Sequence, residues 1–230
     1  MENNYWIDFW ADYSVSSKGK DEQARVLRTL NKKSISSEKW EFALQHIKDS
    51  LEINAEDSVL DLCCGNGLIT KYIAPSCASV TAVDILQDLL HDIDTVQYSN
   101  VKTICSDIRK LHFKEEQFSK IFLYSSLQYL THSETVSLFE NIYRWLKKDG
   151  IAFIGDIPDM GKLWVFFNNK ERESIYFQSV KEQKEIIGTW FNKEWLLKLA
   201  VFAQFKEGTL IEQDPEMIYS FFRYDMKLVK

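Results

Sequence analysis

Between Ser37 and Leu51, the apolar residues Trp40, Ala43, Leu44, Ile47 and Leu51 recur every three or four positions, the spacing of one helix face. The run S-V-L-D-L that follows at 58–62 is short and nearly unbroken, the pattern of a parallel strand buried on both faces. G-N-G at 65–67 breaks it, and L-I-T-K-Y-I-A resumes helical spacing until Pro75 stops it. The alternation then repeats. S-V-T-A-V-D-I predicts a second strand ending in Asp84, with L-Q-D-L-L-H-D-I as its helix, and V-K-T-I-C-S-D-I predicts a third ending near Asp107. K-I-F-L-Y-S-S-L from Lys120 is a fourth, followed by the amphipathic S-E-T-V-S-L-F-E-N-I-Y-R-W-L-K-K with Ser133 as its N-cap. Asp149-Gly150 turns the chain into a fifth strand, I-A-F-I-G-D-I-P.

Short apolar strands alternating with helices predict an α/β protein built on a doubly wound, mostly parallel sheet. Beyond Pro158 the rhythm changes: residues 160–190 hold K-L-W-V-F-F-N-N-K and a charged stretch. N-K-E-W-L-L-K-L-A-V-F then reads as a helix. F-K-E-G-T-L-I-E-Q and M-I-Y-S-F-F-R-Y-D-M-K-L-V-K, on either side of Asp214-Pro215, read as two closing strands joined tightly. A short connection cannot make a parallel crossover, so the final strand is expected to be antiparallel. Residues 1–36, rich in Tyr, Trp, Phe and charge, precede the first strand and form a separate helical cap.

Composition narrows the partners. The chain is 45% hydrophobic and 27% charged, with a net charge of −6 and its Lys and Arg scattered, which argues against an electrostatic nucleic-acid partner. No run approaches a membrane span and no basic-then-apolar leader opens the chain, so a soluble cytoplasmic protein, monomer or homodimer, is expected. Cys63, Cys64, Cys77 and Cys105 show neither the framework of a small secreted domain nor the paired spacing of a zinc site. They read as small buried hydrophobes, with no metal implied.

In a doubly wound sheet, ligands lie beyond the carboxyl ends of the strands, near the point where strand order reverses. The turn from Asp61 to Gly67 should therefore lie at the site. Its spacing, D-x-C-x-G-x-G, satisfies neither the dinucleotide fingerprint G-x-G-x-x-G nor a phosphate loop ending G-K-[ST]. V-L-D-L-C-C-G-N-G from Val59 instead resembles the first motif of class I S-adenosylmethionine-dependent methyltransferases, with Cys63 where the first glycine commonly stands. Asp84 follows about 20 residues later, where an acid holds both ribose hydroxyls. Asp107-Ile108 resembles the family's third motif, and Y-S-S-L-Q-Y-L from Tyr124 the segment that passes beneath the sulfonium. The resemblance covers about residues 37–160 and the last forty. It implies a Rossmann-like seven-stranded methyltransferase domain over 37–230, with 160–190 as a substrate-side lid insertion and S-adenosylmethionine as cofactor.

What the resemblance implies for residues follows from those positions. Asp61 would orient the turn and meet the methionine ammonium; Gly65 and Gly67, with Asn66 between them, would let backbone approach the ligand. Asp84 and Ile85 would take the ribose, Asp107 and Ile108 the adenine, and Ser125 the region under the sulfur. Tyr13 and Arg28 are candidates for the cofactor carboxylate, with packing of the cap as the rival role. Asp156, just past the fifth strand, and His132, shortly after the fourth, are candidate bases; His132 also stands where it would help cap the helix near Ser133. Gln128 and Tyr129 are placed to position the acceptor, and Trp164, Phe166 and Phe167 to close over it.

Within the superfamily, the opening segment and G-D-I-P-D look like small-molecule and sugar O-methyltransferases of polysaccharide or secondary-metabolite pathways. No [DN]-P-P-[YF] follows the fourth strand, as base-methylating enzymes would have, no Pro-Cys pair serves cytosine chemistry, and no acids converge there for a metal-dependent catechol-type reaction. The expected activity is methylation of a small molecule, most simply at an oxygen of a sugar or secondary-metabolite precursor. N-methylation of a small amine and a non-catalytic cofactor-binding subunit are the alternatives. A nicotinamide-dependent oxidoreductase is disfavoured by the glycine spacing.

Overall fold

Seven strands make the central sheet: β1 (Ser58–Leu62), β2 (Ser79–Asp84), β3 (Val101–Cys105), β4 (Phe118–Tyr124), β5 (Leu146–Pro158), β6 (Glu207–Glu212) and β7 (Arg223–Val229). The structure is a computed structural model and describes residues 5–30, 32–184 and 186–230. Residues 1–4 and 31 of the expected cap, and residue 185 of the 160–190 segment, lie outside the described residues. The spatial order is β3-β2-β1-β4-β5-β7-β6. Pairings from β3 across to β5 are parallel, and β7 runs antiparallel to both its neighbours. Strand order reverses between β1 and β4, so the crevice at that switch opens above the turn after β1.

Alternate residues of each central strand feed two separate cores, which is why the strands read as continuous apolar runs. Leu60, Leu62, Ile121, Leu123, Ala152 and Ile154 join α6 (His132–Trp145) through Leu138, Phe139, Ile142 and Trp145. Val59, Phe122, Ile151 and Phe153 pack against α3 (Ser37–Leu51). All five apolar positions that predicted α3 are buried, and the helix starts at an N-cap serine, Ser36, whose side chain accepts from the Lys39 N–H. The Asp149-Gly150 turn persists as an excursion within β5, since Phe118 pairs with Leu146 while Lys120 pairs with Ile151.

Three expectations are corrected. The N-cap of α6 is Thr131, not Ser133: Thr131 Oγ1 accepts from the Glu134 N–H and Glu134 answers to the Thr131 N–H, a capping box that satisfies two helix-end donors. The helix after β1 is α4 (Leu68–Ile73), and the one after β2 is a single turn, α5 (Gln87–Leu90). The two closing strands are not tightly joined. Residues 213–222 form turns, and M-I-Y-S-F-F leaves the sheet because Met217 and Phe222 are buried elsewhere.

The N-terminal segment forms α1 (Tyr5–Ser16), α2 (Glu22–Arg25) and a two-residue ribbon pairing Thr29–Leu30 with Lys33–Ser34. Arg25 fixes it to the sheet layer through Asp88 and Asp92. Within 160–190, a single-turn helix α7 (Leu163–Phe166) leads to α8 (Lys170–Glu182), and Leu163, Phe167, Trp190 and Phe222 make a small satellite core. A final helix, α9 (Lys193–Phe202), covers the β6 side of the sheet. No helix of the described residues is long and apolar enough to cross a membrane.

The capping box yields a direct test. Thr131→Ala should destabilise the protein by about 1 kcal/mol, whereas Ser133→Ala should change stability by less than about 0.5 kcal/mol. Urea unfolding of the two variants measures both, and equal losses would return the cap to Ser133.

Candidate functional site

The turn after β1 is built from alternate left-handed residues. Cys63 has φ 59°, Gly65 58° and Gly67 76°. Glycine adopts this region freely, and a residue with a Cβ does so at a cost on the order of 1 kcal/mol, so Cys63 is a strained substitute at a glycine position. Gly67 is needed for packing: a Cβ there would lie 2.5 Å from Ile93 Cγ1. The turn is pinned to its neighbour strand, because the Cys64 N–H donates to the Val83 carbonyl at 2.9 Å and the Gly65 N–H to Asp84 Oδ2 at 2.8 Å.

Above this turn lies a cavity of about 390 Å³ at the carboxyl ends of the strands. Asp61, Cys63, Gly65 and Asn66 line it from the turn, Asp84 and Ile85 from the end of β2, and Asp107 and Ile108 from the end of β3. Ser125, Gln128 and Tyr129 line it after β4, and Arg28 from the cap. Sequence order thus brought twelve expected residues to one cavity. Gly67 is not among the lining residues; its role is the fit to Ile93.

The two halves differ in charge. At the ends of β1 and β2, burial pushes the Asp61 carboxyl well above its ordinary range, with the Thr70 hydroxyl donating to it in opposition and the Asp84 charge adding to the rise. Burial also raises Asp84, against N–H donation from Leu86 and Gly65. For Asp107, burial acts upward but is outweighed by Arg109, whose guanidinium grips both carboxylate oxygens and holds the group below its usual range. Arg109 is in turn held by Glu134 at 2.9 Å. Two desolvated carboxylates beside each other favour a cationic or hydroxyl-rich ligand, which would return them to the ionised form. Asn66 adds a buried Oδ1 with no partner among the described residues, while its Nδ2 donates to the Glu22 carbonyl at 2.9 Å.

The half over β4 and β5 carries arginine. Arg28 and Arg223 both line the cavity, and both meet Asp156, which lies behind them and is 2% exposed. Asp156 is therefore no cavity-facing base. Its φ of 61° turns the side chain inward, its N–H donates to Asp225 Oδ1 at 2.7 Å, and its oxygens serve the two guanidiniums and Gln213. His132 is also displaced. Thr131 caps the helix, so His132 becomes its first residue and its ring packs on Phe191 and Trp195, ring centres 5.2 and 4.7 Å away, outside the cavity.

Three aromatic expectations are corrected as well. Tyr13 does not reach the cavity; its hydroxyl donates to the Ala24 carbonyl at 2.7 Å and ties α1 to α2. Trp164 is 52% exposed and packs on Tyr176 and Phe177. Phe167 is buried in the satellite core, because α7 turns alternate aromatics apart, and Phe166 is the one that lines the cavity. Residues not foreseen are Trp6 and Trp10, which place their rings 4.8 and 5.9 Å from Tyr129, together with Tyr219 and Arg223. The four-residue spacing of Trp6 and Trp10 was a readable signal for one helix face; nothing local marked Arg223. Among the described residues no three His, Cys, Asp or Glu side chains converge as a metal site.

Comparison with known proteins agrees with this geometry. Residues 59–150 match the family described as a methyltransferase domain. An uncharacterized methyltransferase of Synechocystis is 31% identical over 121 residues, 52% of this chain and 55% of that protein. Phosphoethanolamine N-methyltransferase 1 of Triticum aestivum is 23% identical over 198 residues, covering 84% of this chain and 34% of that protein. The chain thus spans about half, or less, of the length of these relatives. A phosphoethanolamine N-methyltransferase 1 of Haemonchus contortus, solved with phosphoethanolamine and S-adenosylhomocysteine, superposes with a TM-score of 0.72 at 13% identity. It covers 98% of this chain and 48% of the other, a likeness of fold.

The raised Asp61 carboxyl has a sign that can be measured. An acid bound to its proton more tightly in the folded state contributes a stability that declines as pH rises from its unfolded value of 3.8 towards its folded one. Asp61→Asn should therefore leave the ligand-free melting temperature nearly unchanged near pH 4–5 and raise it relative to the parent by pH 8. Identical pH slopes in parent and variant, read by scanning calorimetry, would contradict the burial of this charge.

Proposed function

We propose that this chain, which carries a class I S-adenosylmethionine-dependent methyltransferase domain, transfers a methyl group from that cofactor to a small molecule. The observation that carries the reading is the set of acids closing β1, β2 and β3 around a left-handed turn. Asp84 has lone pairs beyond its two backbone N–H bonds with which to take ribose hydroxyls. Asp107 and Ile108 would flank the adenine, Asn66 Oδ1 awaits a donor, and buried Asp61 complements the ammonium. The cofactor, when bound, supplies a methyl group made electrophilic by its positive sulfur.

The protein's part is binding, alignment and exclusion of water. Trp6 and Trp10 on α1 pack on Tyr129 and give the cavity an aromatic wall. The residues on the acceptor side favour an amine as nucleophile. Asp156 is masked by Arg28 and Arg223, and burial raises the phenols of Tyr124, Tyr129 and Tyr219, so that wall offers no base suited to an alcohol of high pKa. An amine that has released its proton to water before binding attacks with its free lone pair and needs no base from the wall, and the phosphoethanolamine N-methyltransferase relatives support the same chemistry. O-methylation of a sugar or polysaccharide precursor remains the second reading, favoured by the Trp6–Tyr129–Trp10 wall, on which a sugar face can stack. The proposed setting is the cytoplasm, as a monomer or homodimer.

Calorimetry should show binding of S-adenosylhomocysteine and none of NAD; the reverse would sink the cofactor assignment. Asp84→Asn should weaken the sulfur ligand by about 2–3 kcal/mol, as losing charged hydrogen bonds does. Labelled cofactor incubated with small amines and sugar nucleotides should label an amine. Transfer to sugars alone would select the second reading, and tight binding with no transfer would indicate a non-catalytic subunit.

A further inference from the structure

Two arginines on the cavity wall share one contacting carboxylate. Arg28 Nη1 and Arg223 Nη1 approach the same atom, Asp156 Oδ2, at 3.4 and 3.3 Å. One carboxylate thus faces two guanidiniums that are always protonated. The nearby Asp225 is already engaged, by the Asp156 N–H at 2.7 Å, Gln213 Nε2 at 2.8 Å and His46 Nε2 at 2.8 Å. Arg223 Nε is buried and has no partner among the described residues, although the side chain is only 6% exposed and lines the cavity. Arg223 Nη1 is already taken by the carboxylate and the carbonyl of Asp156, so Nε is a buried donor still without an acceptor, which is costly unless a ligand accepts from it.

The two side chains are also held flat and ready. The Arg28 guanidinium lies 4.9 Å from the centre of the Tyr124 ring, and that of Arg223 lies 5.0 Å from Phe222 and 5.5 Å from Tyr219. Such stacking fixes the plane of a guanidinium and leaves its edge free for a forked bond to an oxyanion. Position separates this wall from the acids. Arg28 also donates to the Tyr124 carbonyl at the end of β4, and Arg223 opens β7 opposite Pro158 of β5, while Asp61, Asp84 and Asp107 close β1 to β3 across the switch. Gln128, on the same side, keeps a buried Oε1 without a partner among the described residues, an acceptor for an N–H.

We propose that Arg28 and Arg223 form an oxyanion subsite for the methyl acceptor, which is then a small amine carrying a phosphate monoester or a carboxylate. The proposal rests on the methyltransferase reading above and narrows its substrate. Asp156 is the positioning residue that draws the two guanidiniums together, and Gln128 meets the amine end.

The test is calorimetry on the full chain saturated with S-adenosylhomocysteine, using phosphoethanolamine, β-alanine and ethanolamine as probes. At least one anionic amine should bind about tenfold or more tighter than ethanolamine, and Arg28→Gln and Arg223→Gln should each remove about tenfold or more of that affinity. The sulfur ligand's own affinity should stay within about twofold of the parent, since each forked bond is made to the acceptor. Preference for phosphoethanolamine identifies a phosphate, and preference for β-alanine a carboxylate; either supports the subsite. Equal binding of ethanolamine overturns it, as does failure of all three amines to bind. A loss of S-adenosylhomocysteine affinity matching the loss for the amine also overturns it, because the arginines would then hold the cofactor's carboxylate. Should Arg223→Gln fail to fold by circular dichroism, Arg28→Gln on the cap decides. If S-adenosylhomocysteine does not bind the parent, the methyltransferase reading fails instead. Inorganic phosphate titrated into parent and Arg28→Gln then judges the subsite: binding lost in the variant supports it, and equal or absent binding overturns it.

Discussion

The hydrogen bond from the Gly65 N–H to Asp84 joins the turn after the first strand to the end of the second. It forms in a turn where Cys63, Gly65 and Gly67 all take left-handed backbone, which glycine adopts freely. Once that turn is set, Asp61 and Asp84 stand side by side in a desolvated corner, and the short helix that follows starts beside them. Three carboxylates at three successive strand ends then become one surface. The fold's strand order does the rest, placing β4 and β5 on the opposite flank.

Charge is divided along the same line. Acids that burial has made reluctant to ionise lie over β1 and β2, where a cation would restore them; two arginines lie over β4 and β5, held together by one buried carboxylate. Positive charge on a ligand is attracted to the first side and negative charge to the second. The low dielectric that makes each unpaired group expensive also makes the arrangement selective. The cap contributes to both halves, with Asn66 tied to Glu22 near the acids and Arg28 reaching the arginine wall.

Much of this was legible in the sequence because it depends on spacing. Buried parallel strands read as unbroken apolar runs, α3 as a helical stripe, and acids closing three strands as candidates for one ligand. What failed depended on backbone angles or on residues distant in the chain. Asp156 lies within β5, at the irregularity between Ile154 and Ile157 and not just past the strand as expected, and with a φ of 61° it meets residues 28, 213 and 223 inside the protein. His132 became the first residue of α6 once Thr131 took the cap, and its ring packs on Phe191 and Trp195 outside the cavity. The choice among Trp164, Phe166 and Phe167 turned on which way a single helical turn faces, which adjacent aromatics do not encode. Arg223 was invisible because ten residues of irregular chain deliver it to the site.

The division of the cavity is tested most directly by a crystal structure of the chain with S-adenosylhomocysteine. The account predicts the ribose hydroxyls on Asp84, the adenine beside Asp107 and Ile108, and no atom of the ligand between Arg28 and Arg223. A carboxylate of the ligand lodged between those two arginines, or a ribose away from Asp84, would contradict it.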